Sequence, residues 1–320
     1  MQIQYLRPLS ESWQHTKRML FQPFDLGKWL VIGFTAWLAG LFRGGGGEVN
    51  RSIKGPADVH LAAQEMVRGV SRAVHRLLES PFTGTLIVLA VVALILIVLA
   101  LLWVSSRAKF MFLDNVANDR AAVVEPWKRL RRLGDSLFLW RLCFGVASLV
   151  LVLLIVGGTV ASLVLVAAGK SLDPGSLLVV VLAAMIILAL SVVILFVVIW
   201  VENFVVPIMY RFNLGVLAAW SHFWRWLRVY PAAFIVYGLF VILLAICFGL
   251  TVVLFGLMTC CIGLILIALP YVGTVLLLPV WVTYRSLGPR FLEQLSPEFG
   301  IFPAPMAEAA AAVEEAPTEE

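Results

Sequence analysis

Residues 82–104 read FTGTLIVLAVVALILIVLALLWV, an apolar run without a single charged residue. A hydrocarbon core about 30 Å thick is crossed by about 20 apolar residues in an α-helix, so this run is long enough to span a membrane. The whole chain of 320 residues has the same bias, being 62% hydrophobic and 13% charged. Soluble proteins average roughly 45–50% and about 25%. The sequence therefore predicts an all-α integral membrane protein.

The remaining apolar regions predict five further spans. Two long regions each divide into two spans, one at KSLDPG (residues 170–175) and the other around residues 256–263, because turn-forming residues interrupt them there. The first span is the shortest and carries Lys28, whose ammonium can reach the membrane interface. A signal peptide is the alternative for that segment, but the preceding 25 residues are too long and mixed in charge. The six predicted spans are 26–42, 82–104, 142–167, 177–201, 232–256 and 262–284.

A cassette repeated three times groups these spans. Each cassette begins with a basic, Trp-bearing stretch, contains two spans and closes on Trp-Val, at residues 103–104, 200–201 and 281–282. An internal repeat of this kind indicates one architecture used three times. The predicted repeats are residues 1–104, 105–201 and 202–287, followed by an acidic, disordered cytoplasmic tail over residues 288–320.

The Trp-bearing stretches place basic residues two and five positions after each Trp. At about 100° per residue these positions lie about 60° apart and roughly opposite the Trp, which predicts short amphipathic helices in the membrane interface. Their basic faces could bind anionic lipid headgroups, since Arg matches phosphate geometry, but simple anchoring of the bundle is favoured. The predicted lipid-headgroup or interface residues are Trp13, His15, Arg18, Trp127, Arg129, Arg132, Trp220, His222 and Arg225.

An insertion at residues 43–81 separates the two spans of the first cassette. It opens with four glycines, which indicate a flexible linker because no Lys-Ser/Thr follows as in a phosphate-binding loop. A helix is predicted at residues 57–79, with an apolar seam. That helix is expected either to lie on the outer leaflet or to pair with a second copy or a partner.

Loop charge predicts the topology. Segments on the side of the N-terminus hold most of the Lys and Arg residues, so both termini are predicted to be cytoplasmic and the insertion extracytoplasmic. The net charge of +5 does not indicate nucleic acid, because basic loops are usual in membrane proteins. The four cysteines show no metal-site spacing and are interpreted as small core residues.

The sequence shows no catalytic or metal site. The four histidines lie in three separate loops, no metal motif or nucleophile elbow is present, and no cofactor is predicted. Glu202 and Arg141 are the ionisable residues nearest to the spans, and the pairing partner considered for one of them is Arg107 or Arg285. An enzyme would have to use a loop carboxylate such as Asp114 or Asp119 at headgroup level.

Two short motifs carry a family resemblance. PFDLGKW (residues 23–29) and KFMFLDN (residues 109–115) resemble an uncharacterised family of bacterial multi-pass proteins, which is similar to the membrane domain of some glycerophosphodiester phosphodiesterases. The likeness covers roughly residues 10–290. It implies a helical bundle in the bacterial inner membrane that meets phospholipid or its headgroup products. It does not imply phosphodiesterase activity, which belongs to a separate barrel domain of about 250 residues.

The expected function is that of a non-enzymatic inner-membrane scaffold or accessory factor in contact with membrane lipids, anionic ones included. A transporter or flippase-like carrier of a lipid or amphiphile is the alternative, because few ionisable groups argue against ion coupling but not against a lipid pathway. A membrane enzyme is third. No nucleic-acid partner is expected.

Overall fold

The computed structural model describes residues 4–41, 81–169, 174–259 and 262–302. In these ranges the chain is helical and contains no β-strand, which confirms the all-α class. Several helices begin at a proline, whose missing N–H is not needed in the first turn. The helices are α1 (Leu6–Phe21), α2 (Leu26–Gly40), α3 (Pro81–Ala117), α4 (Val124–Arg129), α5 (Arg131–Gly169), α6 (Pro174–Trp200), α7 (Val206–Phe212), α8 (Val216–Val229), α9 (Pro231–Met258), α10 (Ile262–Ala268), α11 (Pro270–Leu276) and α12 (Leu278–Leu295).

Four helical segments are long and apolar enough to cross a membrane. They carry the predicted spans 82–104, 142–167, 177–201 and 232–256. Many of their Leu, Ile and Val side chains face outward, as lipid-facing helices require. The segments are Gly84–Ala117, Arg131–Val160, Val181–Phe212 and Pro231–Met258.

The first and last predicted spans are not long continuous helices, so six spans are not confirmed. Helix α2 has 15 residues, whereas a helix needs about 20 residues to cross a bilayer. The segment 262–284 divides among α10, α11 and the start of α12. Pro270 separates α10 from α11, because it cannot continue a helix from the preceding turn. These shorter helices pack together: a Cβ on Gly33 would lie 2.7 Å from Val275, and the Tyr271 hydroxyl donates to the carbonyl of Leu30 at 2.9 Å.

The chain forms two compact units. The first comprises Met1–Gly40, Ser105–Trp140 and Leu195–Glu320, and the second comprises Leu41–Val104 and Arg141–Ile194. The two buried hydrophobic clusters of the described residues both lie in the first unit. In the second unit, the described Leu and Val side chains are largely exposed, as with Leu96 at 60% and Leu154 at 68%.

An aromatic cluster forms the centre of the first unit. The buried ring of Phe204 stacks on Phe223 at 5.4 Å and meets Phe234 edge-on at 5.0 Å. Tyr237 and Phe291 lie 4.8 and 5.8 Å from the same ring. Such aromatic pairs add about 0.5–1.5 kcal/mol each beyond the area they bury. The cluster therefore joins α8, α9 and α12 around one side chain.

A π-helical segment, Val201–Val205, interrupts the helical path between α6 and α7 and carries Phe204. Gly288 of α12 lies directly against this segment, since a Cβ there would be 2.1 Å from the carbonyl oxygen of Asn203. Only glycine allows this approach. The Tyr237 hydroxyl also donates to the Asn203 side-chain oxygen at 3.1 Å. Single-turn π-segments are frequent at functional sites, so the residues around Val201–Val205 are candidates for such a site.

The segment predicted as a disordered tail is ordered in its first part. Helix α12 continues to Leu295, and Phe291, Leu292, Phe299 and Phe302 are buried in the hydrophobic clusters. Residues 303–320 lie outside the described residues, as do most of the insertion at 43–81 and the predicted helix at 57–79. Cys143 and Cys247 are exposed on their helices, so the prediction that they are core residues is wrong.

Candidate functional site

The predicted headgroup-contact residues lie on three short segments of the first unit: α1, α4 with the start of α5, and α8. In α1, Trp13 is 42% exposed and the Lys17 ammonium lies 5.6 Å from the centre of its ring. His15 is half-buried, and its Nε2 lies 2.9 Å from the Val116 carbonyl oxygen. Arg18 is exposed. The Trp and the cation at the fifth position after it are therefore both accessible, whereas the His is directed at the protein.

In the second segment the Trp and the first cation contact the protein. The Arg107 guanidinium lies 5.3 Å from the centre of the Trp127 ring and holds both oxygens of Asp135, at 2.8 and 2.7 Å. Arg129 donates to the buried carboxylate of Asp114. Arg132 is exposed at the start of α5.

In α8, Trp220 is half-buried between Trp140 and Phe223, with ring centres 5.8 and 5.7 Å away. His222 packs against Phe212 at 5.2 Å and Phe299 at 5.7 Å. Arg225 is exposed.

The predicted residues thus divide into two groups. His15, Arg129 and His222, two positions after each Trp, are engaged by protein groups. Arg18, Arg132 and Arg225, five positions after each Trp, are exposed and form no ion pair with another described residue. We call these three residues the outer arginines. They are the predicted site residues that can meet an external anion.

Asp114 is the centre of an ionic cluster that the spacing pattern did not reveal. Its carboxylate is fully buried and accepts bonds from four side chains. Arg120 donates to Oδ2 at 2.5 Å, Tyr210 to Oδ1 at 2.6 Å and Asn118 to Oδ1 at 3.0 Å, and Arg129 is the fourth donor. Glu125 contacts the same two arginines at 2.8 and 3.6 Å. The cluster ties α3, α4 and α7 together, with both carboxylate oxygens of Asp114 occupied.

A second ionic cluster lies beside the π-helical segment. Glu202 forms ion pairs with Lys109 and, at 3.8 Å, with Arg285. Arg285 also donates to the carbonyl oxygens of Glu202 at 3.1 Å and Lys109 at 2.9 Å. The Lys109 and Arg285 side chains are only 8% and 4% exposed. Ionisable groups buried in a membrane protein are expensive and commonly functional, so this cluster is a candidate site as well.

Sequence reasoning found this second cluster in part. The sequence suggested Arg107 or Arg285 as the pairing partner of Glu202 or Arg141 and did not include Lys109, which is 93 positions from Glu202 in the chain (202 − 109). Lys109 is the second cation after the long apolar run, and the first, Arg107, binds Asp135, so position in the sequence did not single out Lys109. Among the described residues, no group of three or more His, Cys, Asp or Glu is placed to hold a metal ion.

His15 predicts a pH dependence of stability. Burial lowers the pKa of its imidazole below the ordinary 6.5; the hydrogen bond to Val116 opposes this and nearby Arg290 adds to it. Between the folded and unfolded pKa values the unfolded state binds more protons, so the free energy of unfolding rises with pH. The contribution of His15 is therefore complete above about pH 6.5 and is lost as the pH falls through the lowered folded value.

We expect thermal unfolding temperatures measured between pH 8 and pH 5 to fall at the acidic end, by an amount that shrinks in a His15→Gln variant. Burial and Arg225 also lower the pKa of His222. In the His15→Gln, His222→Gln double variant the unfolding temperature should therefore fall even less at acidic pH than in the single variant. An unchanged acidic fall in both variants would contradict this prediction.

Comparison with known proteins places the chain beside relatives of unknown role. A family model described as "Family of unknown function (DUF7544)" matches residues 4–295. No curated protein and no solved structure matches the chain. The match thus supports an uncharacterised family and gives no support to a resemblance to the membrane domains of glycerophosphodiester phosphodiesterases.

Proposed function

Because the chain belongs to this family of unknown function, we propose its role from its own surfaces: it is a non-enzymatic, lipid-contacting scaffold or accessory factor that binds anionic headgroups through the outer arginines. In this proposal the protein lies in the bacterial inner membrane with both termini cytoplasmic. The three-cassette organisation, in which α2 and the α10–α12 segment take the place of the first and last spans, is part of the same proposal.

The exposure of the outer arginines is the observation that carries the proposal. Arg18, Arg132 and Arg225 occupy the same position relative to a Trp in three segments, and all three guanidinium groups face outward. Neighbouring cations are engaged internally: Arg107 binds Asp135, and Arg129 binds Asp114. Guanidinium groups that form no ion pair with another described residue are suited to phosphate, because they donate two parallel hydrogen bonds.

The apolar helices supply the second argument. Four segments long enough to span a membrane accompany these arginines in one chain, so anionic phospholipid is the phosphate compound at the highest local concentration. Each Lys or Arg near an anionic membrane surface contributes about 1 kcal/mol of attraction. Three such residues would favour retention of anionic over neutral phospholipids at these segments.

Native mass spectrometry of the protein extracted with its surrounding lipids tests the proposal. We expect a triple variant of Arg18, Arg132 and Arg225 to Ala to retain several-fold fewer anionic phospholipids than the wild type. The matched control replaces Arg7, Lys128 and Arg228 with Ala, which removes the same charge from the same three segments. Equal retention by the wild type and both variants would leave the outer arginines as membrane anchors and overturn the proposal.

A transporter or flippase-like carrier is the second candidate. The α10–α12 segment is divided into short helices, and broken helices line substrate sites in many secondary transporters. The buried cations Lys109 and Arg285 pair with Glu202, which lies in a π-helical interruption, the kind of irregularity such carriers contain. Transfer of a labelled phospholipid between the leaflets of proteoliposomes, faster than in protein-free vesicles, would favour this candidate over the scaffold.

A further inference from the structure

A groove on the first unit lies between α1, α9 and α12. Its volume is about 250 Å³. Sites that enclose whole drug-sized ligands usually measure about 300–1,000 Å³, so this groove suits a slender chain and not a whole lipid. Its apolar lining includes Leu9 and Trp13 of α1, Leu244 and Phe248 of α9, and Val280 and Leu287 of α12.

Two of the three hydroxyl groups that line the groove, those of Thr251 and Thr283, are bonded within the protein. Thr251 donates to the Cys247 carbonyl at 2.8 Å. Thr283 donates to the Pro279 carbonyl at 2.7 Å and lies 2.9 Å from the Thr16 hydroxyl. A ligand in the groove therefore meets mainly carbon. Water would find few partners there, since a bound water normally makes about three hydrogen bonds.

A cation stands beside the groove on the α1 side. Trp13 lines the groove and is exposed on its outer edge, and the Lys17 ammonium lies over the same ring, 5.6 Å from its centre. None of the described residues that line the groove is acidic. An apolar channel with an aromatic edge and an ammonium is complementary to an amphiphile that has an anionic head, because Trp and Lys favour the headgroup level of a membrane.

We propose that this groove binds one acyl chain of an anionic phospholipid, with the lipid phosphate against Lys17 and the ester region against Trp13. The inference rests on the proposed function, since both assign the protein an anionic lipid, but it names a separate site. Neither Lys17 nor a groove residue belongs to the outer arginines. A partner helix is the less suitable occupant because a groove of this volume offers no room for a row of side chains at helical spacing.

Filling the groove tests the inference. In Thr251→Phe an aromatic ring enters the groove, whereas in the control Leu250→Phe the ring is added at a neighbouring exposed position that does not line it. We expect native mass spectrometry to show roughly tenfold lower retention of phosphatidylglycerol by Thr251→Phe. This is the effect expected if about two methylene groups of the acyl chain are no longer buried in the groove. Lys17→Gln should lower retention of phosphatidylglycerol more than that of phosphatidylcholine.

A second measurement does not depend on the folding of the groove variant. Cys247 lines the groove and is exposed. In a variant with Cys143, Cys260 and Cys261 replaced by Ser, the rate at which N-ethylmaleimide alkylates Cys247 in detergent reports whether the groove is occupied. We expect phosphatidylglycerol to slow this alkylation several-fold and phosphatidylcholine to slow it less. A variant that keeps only the exposed Cys143 on α5 is the control and should be unaffected.

The outcomes separate the two proposals. Lipid loss by the triple outer-arginine variant, with normal retention by Thr251→Phe and no protection of Cys247, would overturn the groove and leave the proposed function standing. Loss by Thr251→Phe with normal retention by the triple variant would support the groove and overturn the headgroup role of the outer arginines. Retention unchanged in both, with Cys247 unprotected, would overturn both.

Discussion

Glu202→Gln is expected to lower the free energy of unfolding by about 3–5 kcal/mol, the cost of removing one partner from a buried ion pair. The carboxylate is the counter-charge for Lys109 and Arg285, whose side chains are only 8% and 4% exposed. Glutamine keeps the size of the side chain but removes the negative charge that pairs with these two buried cations. Arg285 would retain its bonds to the carbonyl oxygens of Glu202 and Lys109, but these bonds do not neutralise its charge.

The free energy of unfolding is measured in detergent, with tryptophan fluorescence as the readout. Glu298→Gln makes the same chemical change at an exposed position and should alter stability by less than about 0.5 kcal/mol. Combining Glu202→Gln with Lys109→Met should recover part of the loss, because a buried cation is removed together with the carboxylate that pairs with it. A coupling energy within the usual 0.5–3 kcal/mol would confirm direct interaction. If Glu202→Gln unfolded like Glu298→Gln, the buried cluster would not stabilise the fold.

The length of the continuous apolar runs was sufficient to predict the four long helices, because a charge-free run of the length of a membrane has few other stable conformations. It was insufficient for the segments 26–42 and 262–284. Composition showed that both are apolar, but length and the proline at 270 determine whether such a segment forms one crossing helix. The packing of Gly33 on Val275 is a tertiary contact between residues 242 positions apart (275 − 33), which no local pattern contains.

The tail shows how composition can conceal a pattern. Its Ala and Glu content predicted disorder, yet Phe291, Leu295 and Phe299 follow one another at four-residue spacing and are all buried. That spacing was the available signal for a packed helix end. The composition of the whole tail, including the acidic residues after residue 303, concealed this four-residue spacing of apolar residues.

For the candidate site, helical geometry placed residues on faces but could not predict what covers each face. His15 and Arg18 lie about 60° from each other on the side of the helix opposite Trp13, so helical geometry places both on the same face. The structure separates them: Val116 accepts a hydrogen bond from the imidazole, while the guanidinium of Arg18 is exposed. The same distinction separates Arg129, bound to Asp114, from Arg132. Tertiary neighbours therefore reduce nine predicted residues to three outward cations.

Asp114→Asn is expected to cost about 1.5–3 kcal/mol, the usual range for hydrogen bonds to a charged group. The amide keeps the size of the carboxylate but cannot accept at both ends from Arg120, Arg129 and Tyr210, and it carries no charge. The loss should be smaller than that of Glu202→Gln. Arg120 and Arg129 are 30% and 49% exposed, so water and Glu125 can replace part of the lost interaction.

Asp119→Asn is the matched control for this variant. Asp119 is five positions along the chain, 56% exposed and paired with Lys28 alone among the described residues, so its loss should cost less than about 1 kcal/mol. Its φ of 50° is a left-handed conformation that Asn tolerates, which avoids added backbone strain. Because Asp114 joins α3, α4 and α7, its replacement should also increase proteolysis around residues 118–123, between α3 and α4. Equal stability and equal cleavage of the two variants would show that Asp114 does not hold these helices together.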